Sequence, residues 1–120
     1  MNRRTSQEAR DRIAARRERE DQAPRLSTEF RRIKTLQLEI ENGNSKYTWR
    51  IIVDRAPALF EIPCPEDGCV DGGHDLTREI GRALRASVTH PEGKSVCRGR
   101  LPAGPCGRVL SYSGTATYGD

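Results

Sequence analysis

Between Thr35 and Ile40 the chain alternates: Leu36, Leu38 and Ile40 are apolar, while Thr35, Gln37 and Glu39 are polar. A period of two sends successive side chains to opposite faces, so this run predicts a half-buried strand. Asn42-Gly43-Asn44-Ser45 is a turn signal, and Tyr47-Thr48-Trp49-Arg50-Ile51-Ile52-Val53 is rich in β-branched and aromatic residues. The two runs predict a β-hairpin over residues 35–53, with Asn42-Gly43 supplying the positive φ of a tight turn. Trp49, the chain's one tryptophan, is expected in the core.

Asp54-Arg55-Ala56-Pro57 breaks the pattern. The apolar run from Ala58 to Ile62 predicts a strand near 58–62. The Tyr-, Thr- and Val-rich run from Val109 to Tyr118 predicts another near 108–118, broken or bent at Gly114. Between them the period changes once. Leu76, Ile80, Ala83, Leu84 and Val88 stand at i, i+4, i+7, i+8 and i+12, one face of a helix predicted over 75–89. Asp75 is its candidate N-cap, with Thr77 as the alternative, and Pro91 and Gly93 close the segment. These elements make an α+β fold, a small antiparallel sheet with one amphipathic helix, over a domain of residues 26–120.

Residues 1–25 differ from this domain. Ile13 is the only large aliphatic residue between Met1 and Leu26. Without an apolar stripe the segment is not expected to dock strongly, and Pro24 ends any helix it forms. It reads as a disordered or helical arm. Eight arginines, among them Arg3, Arg4, Arg10, Arg12, Arg16, Arg17 and Arg19, face five acids there, a net +3 of the chain's +4. The remainder has 13 basic and 12 acidic residues, so the basic character belongs to the arm. An arginine-rich arm is suited to phosphates or to an acidic protein surface. The chain's start lacks an apolar run of the secretory kind, and no stretch approaches the roughly 18 apolar residues of a membrane span, which points to a cytoplasmic address away from membranes.

Only 34% of the 120 residues are hydrophobic, a thin supply for one domain's core. A metal staple would supplement it. All four cysteines lie in two pairs, Cys64 with Cys69 and Cys97 with Cys106, each within glycine- and proline-containing turns. In a reducing compartment paired cysteines favour metal, and the simplest reading is one four-thiolate Zn²⁺ site. The spacings, four and eight intervening residues, are at and beyond the usual two to four. Two disulfides and unliganded thiols are the other readings. His74, five residues after Cys69, is an alternative ligand or a residue that supports the ligands from behind. Glycine beside a cysteine is expected to free amide N–H groups for sulfur.

The strand into Cys64 and Cys69, the second pair at Cys97 and Cys106 and the strand beyond resemble zinc-ribbon or treble-clef-like small bacterial zinc proteins, over residues 58–118. The resemblance implies four zinc ligands, and a site of four thiolates leaves no open position for a water, which makes the expected metal structural. A nucleophile–base–orienter set is missing, as are the P-loop, G-x-G-x-x-G, H-E-x-x-H and C-x-x-C motifs. The expected role is therefore a non-enzymatic interaction module for a protein or nucleic acid, engaged through the arm. A thiol-dependent enzyme, a disulfide-stabilised protein and an accessory subunit of a larger complex are the competing roles.

Overall fold

The computed structural model describes the backbone of residues 3–119 and the side chains of residue 7 and residues 10–119. In chain order the elements are α1 (Arg3–Gln22), α2 (Leu26–Glu29), β1 (Ile33–Asn42), β2 (Ser45–Ile51), β3 (Glu61–Ile62), β4 (His74–Asp75), α3 (Thr77–Arg85), β5 (Glu92–Val96), β6 (Arg100–Leu101), β7 (Gly104–Pro105) and β8 (Val109–Tyr118). The α+β class expected from the periodicities is what forms. The main sheet is antiparallel with order β2-β1-β8-β5, and β3–β4 and β6–β7 make two short ribbons beside it.

The predicted hairpin is β1–β2, with Leu36 opposite Ile51, Leu38 opposite Trp49 and Ile40 opposite Tyr47. On the other side of β1, β8 places Ala116, Gly114 and Tyr112 opposite the same three residues. Directly opposed residues share a face, so Leu36, Leu38, Ile40, Ile51, Leu110, Tyr112 and Ala116 form one apolar surface. Ile80 and Leu84 of α3, Leu26 and Phe30, and Phe60, Ile62 and Leu76 complete that core. Each such side chain contributes roughly 1.5–3 kcal/mol when fully buried. Trp49 is half-buried, its ring edge-on to Phe60 at 5.9 Å.

Three local expectations are refined. The strand near 58–62 narrows to Glu61–Ile62, because Phe60 turns its N–H to Thr77 Oγ1 (2.9 Å) and its carbonyl to the Leu76 N–H (2.8 Å). The helix stops at Arg85 rather than reaching 89. Ser87 adopts φ +55°, and the N–H groups of Ser87 and Val88 donate to the carbonyls of Leu84 and Ala83, a left-handed cap that ends the helix without a glycine. Val88 is thereby turned out of the core face. The third concerns Gly114, where β8 is not broken. Its register with β1 runs unshifted from Thr35–Thr117 to Asn42–Leu110. The glycine serves close packing instead, since a Cβ there would lie 2.7 Å from Leu38 Cδ2 and 3.0 Å from Pro91 Cγ.

The arm takes the helical alternative, as α1. It meets the body through polar groups. Arg19 forms a two-pronged pair with the Glu61 carboxylate (Nε–Oε1 2.9 Å, Nη2–Oε2 2.8 Å), and Arg16 Nη2 donates to the Glu61 carbonyl at 2.9 Å. β5 was not anticipated: Glu92, Lys94 and Val96 are exposed while Gly93 and Ser95 are half-buried, an alternation too polar to read as a strand.

The Gly114 contact generates a direct test. Gly114→Val should destabilise the fold by roughly 1–3 kcal/mol through overpacking against Leu38 and Pro91, lowering the denaturant midpoint without changing the slope.

Candidate metal centre

Cys64 follows β3 after Pro63, and the next turn brings Cys69 back through a hydrogen bond from its N–H to the Glu66 carbonyl (3.3 Å). Gly68 holds φ +79° in that turn, a conformation glycine adopts without strain. The other two cysteines sit where β5 and β8 run on past their last ladder pair, Val96 with Val109. There Cys97 N–H donates to the Arg108 carbonyl at 2.8 Å, and Gly107 N–H returns to the Cys97 carbonyl at 3.2 Å. Arg98 to Pro105 between them forms a small hairpin in which Arg100 faces Pro105 and Leu101 faces Gly104. The long spacing of the second pair is therefore the length of the β6–β7 ribbon.

The two halves are stitched together by backbone and charge. Val70 and Arg100 exchange both hydrogen bonds, at 2.8 and 2.9 Å, and Arg108 forms an ion pair with Glu66. The result gathers four sulfurs, those of Cys64, Cys69, Cys97 and Cys106, within 4.8 Å of one another. They are positioned to hold a metal ion. The shortest approaches cross the sequence pairs: Cys64 to Cys106 at 3.7 Å and Cys69 to Cys97 at 3.7 Å. All four are free cysteines, Cys97 buried and the others half-buried.

Four thiols so close cannot titrate alike. Burial pushes Cys64 up, and burial together with its thiol neighbours pushes Cys69 up to about 12. Burial acts the same way on Cys97, but N–H groups of Gly73 (3.3 Å) and Gly99 (3.4 Å) point at its sulfur. With the neighbouring thiols they outweigh burial and bring Cys97 down to about 7. Cys97 is thus ionised far more readily than Cys69, and a thiolate is the form that receives a cation.

Amide donation to sulfur was expected from glycine, but from the residue beside Cys69; Gly73 and Gly99 supply it. Gly72 and Gly99 also leave room for the sulfurs. A Cβ at Gly72 would strike the sulfur of Cys69 and lie 2.8 Å from that of Cys97. One at Gly99 would strike Cys69 Sγ and sit 2.6 Å from Gly72 Cα. The visible signal was a glycine two or three residues from a cysteine on each side.

His74 lies outside the group of four sulfurs. Its ring is buried on β4, Nδ1 is 2.9 Å from Ser95 Oγ, and Nε2 has no hydrogen-bond partner. Burial pushes its pKa down. Of the arm's arginines, Arg16 and Arg19 are committed to Glu61, while Arg10, Arg12 and Arg17 are exposed along α1. The side chains of Arg3 and Arg4 fall outside the described residues.

Two outcomes follow from this geometry. Gly72→Ala should weaken metal binding by about 10- to 100-fold, measured by competition with a chromophoric chelator, because the added methyl wedges Cys69 from Cys97. In the reduced, metal-free chain the depressed Cys97 stabilises the fold only while ionised, so its contribution is lost as pH falls through about 7. The raised Cys69 acts oppositely, its contribution being lost as pH rises from 9.0 towards about 12. Thermal melts of the metal-free form should accordingly rise from about pH 7, peak near pH 9 and decline above it. Comparison with protein-family models, with curated proteins and with solved structures gives no match, so the functional reading stands on the four-sulfur cluster.

Proposed function

We propose that this chain is a non-enzymatic binding module built around a structural Zn²⁺ held by Cys64, Cys69, Cys97 and Cys106. The observation that carries the reading is metric. Four thiolates at a Zn–S distance of about 2.3 Å, arranged tetrahedrally, have edges of about 3.8 Å. The Cys64–Cys106 and Cys69–Cys97 distances are both 3.7 Å. The donor set supports zinc as well, since soft thiolates in a tetrahedral array select it over oxygen-seeking ions. With four protein ligands no coordination position is left for a substrate or a water, which makes the metal structural.

What the metal would add is local. The lobe carrying the cysteines contributes little to the apolar core, which draws only Phe60, Ile62 and Leu76 from residues 58–76 and no residue between Cys97 and Val109. A cation bridging Cys64 and Cys69 to Cys97 and Cys106 would join the end of β3 to the bases of β5 and β8. The binding free energy would then be folding free energy for that lobe. Partner binding, to a protein or a nucleic acid, is assigned to the basic α1 face.

Metal analysis of the purified full chain, with thiol titration before and after denaturation, tests the centre. About one zinc per chain is expected, with four thiols titrating only after denaturation. Folded protein that is metal-free and holds its cysteines as disulfides would refute it. Cys97→Ser should cost several kcal/mol of stability and most of the zinc affinity, and an equally stable, zinc-loaded variant would remove Cys97 from the ligand set.

A further inference from the structure

Between α1 and the body lies a cleft of about 1050 Å³, at the upper end of the roughly 300–1000 Å³ usual for small-molecule sites. It has room for a segment of chain. On one side α1 contributes Arg12, Arg16 and Arg19, spaced i, i+4 and i+7 and so on one helix face. From the body, α3 contributes Arg78 and Arg82, again i and i+4, and Lys94 and Arg98 stand at the end of β5 and just past Cys97. The body therefore carries its own share of positive charge here, although its overall charge is close to balanced.

Against these seven cations the cleft has four carboxylates, Glu61, Asp71, Asp75 and Glu79, for a sum of +3. Glu61 is taken up by Arg19, and Asp75 accepts the Thr77 N–H at 3.0 Å. Cys64 and Cys69 also reach the cleft, and a four-thiolate zinc would bring −2 to it, leaving about +1. That balance is poor for a uniformly charged polyphosphate, whose affinity depends on many uncompensated cations. No Phe, Tyr or Trp lines the cleft among the described residues, and His74 there is buried, so it lacks the stacking platforms that hold single-stranded bases.

Two exposed aliphatic side chains do line it. Ile13 of α1 is 56% exposed and Val96 of β5 is 54% exposed. Both offer apolar surface that a phosphate backbone would leave wet, and a partner's aliphatic side chains would cover. Basic rows with interspersed aliphatic residues complement a chain in which acidic and aliphatic side chains are mixed.

We propose that this cleft binds an acidic peptide segment bearing aliphatic residues, its carboxylates paired with Arg78 and Arg82 of α3 and its apolar side chains on Ile13 and Val96. The inference rests on the reading of the chain as a metal-built binding module and names its partner. The arm alone is not the binding site. α1 and α3 act as two walls, and the Glu61 contacts with Arg16 and Arg19 hold the first wall in place.

Fluorescence anisotropy on the zinc-loaded full chain tests it with three labelled probes: a short peptide alternating glutamate and leucine, its lysine–leucine counterpart, and a single-stranded oligonucleotide. The glutamate–leucine peptide should bind saturably, weaken with added salt, and outcompete the other two. The double substitution Arg78→Glu and Arg82→Glu should lower its affinity about tenfold or more, and Ile13→Ser should lower it at every salt concentration. Tighter binding of the oligonucleotide, equal binding of the two peptides, or no loss in the double variant would overturn the proposal. Zinc content is measured on each sample. Zinc-loaded chain that ignores the glutamate–leucine peptide ends this inference and leaves the metal reading standing. Metal-free folded chain that binds the peptide through Arg78 and Arg82 does the reverse.

Discussion

Four sulfurs inside 4.8 Å are the constraint on which the smaller half of this structure depends. At that distance thiols must share protons or a cation, because four thiolates alone would repel strongly where burial weakens the screening by water. The opposed shifts of Cys69 and Cys97 express the conflict within one cluster. Burial and its neighbours push one sulfur's pKa up, while two amide donors and the neighbouring thiols bring the other's down. Glycine at 72 and 99 is what allows the sulfurs to come so close, since any side chain there would occupy the space between them.

The fold divides its stabilisation accordingly. The four-stranded sheet and α3 bury a continuous apolar set from Leu26 to Ala116 and draw on ordinary hydrophobic burial. The ribbons β3–β4 and β6–β7 are two residues per strand, and of their residues only Ile62 joins that apolar set. They are joined to the sheet through backbone continuity at Cys97 and Arg108, through the Val70–Arg100 bridge and through the Arg108–Glu66 pair. In the proposed function a tetrahedral cation closes this lobe, so that a chain of low apolar content keeps two ordered parts instead of one.

The arm joins the molecule by a different logic. α1 has no apolar stripe, and it is Glu61, at the entrance to the cysteine lobe, that receives both Arg16 and Arg19. Charge pairing at a partly exposed site is weaker than burial and sensitive to salt. A wall attached in this way can yield to a partner, which is consistent with a cleft shaped jointly by α1, α3 and β5.

By itself the sequence determined the elements whose side chains repeat with a period. Leu36, Leu38 and Ile40 marked β1, Asn42-Gly43 its turn, and Leu76 to Leu84 the face of α3, because local alternation is enough to sort residues between core and solvent. It also marked Cys64, Cys69, Cys97 and Cys106, since chemistry rare enough to be counted needs no fold to be noticed. Only the tertiary structure decided that the sulfurs pair across the two halves, that eight residues between Cys97 and Cys106 form a ribbon, and that Gly114 serves close packing rather than a break. It alone set Arg78 and Arg82 beside the arm's arginines. Each of these depends on contacts between residues far apart in the chain, whose register is set by packing of the whole sheet and leaves no periodic trace in any one segment.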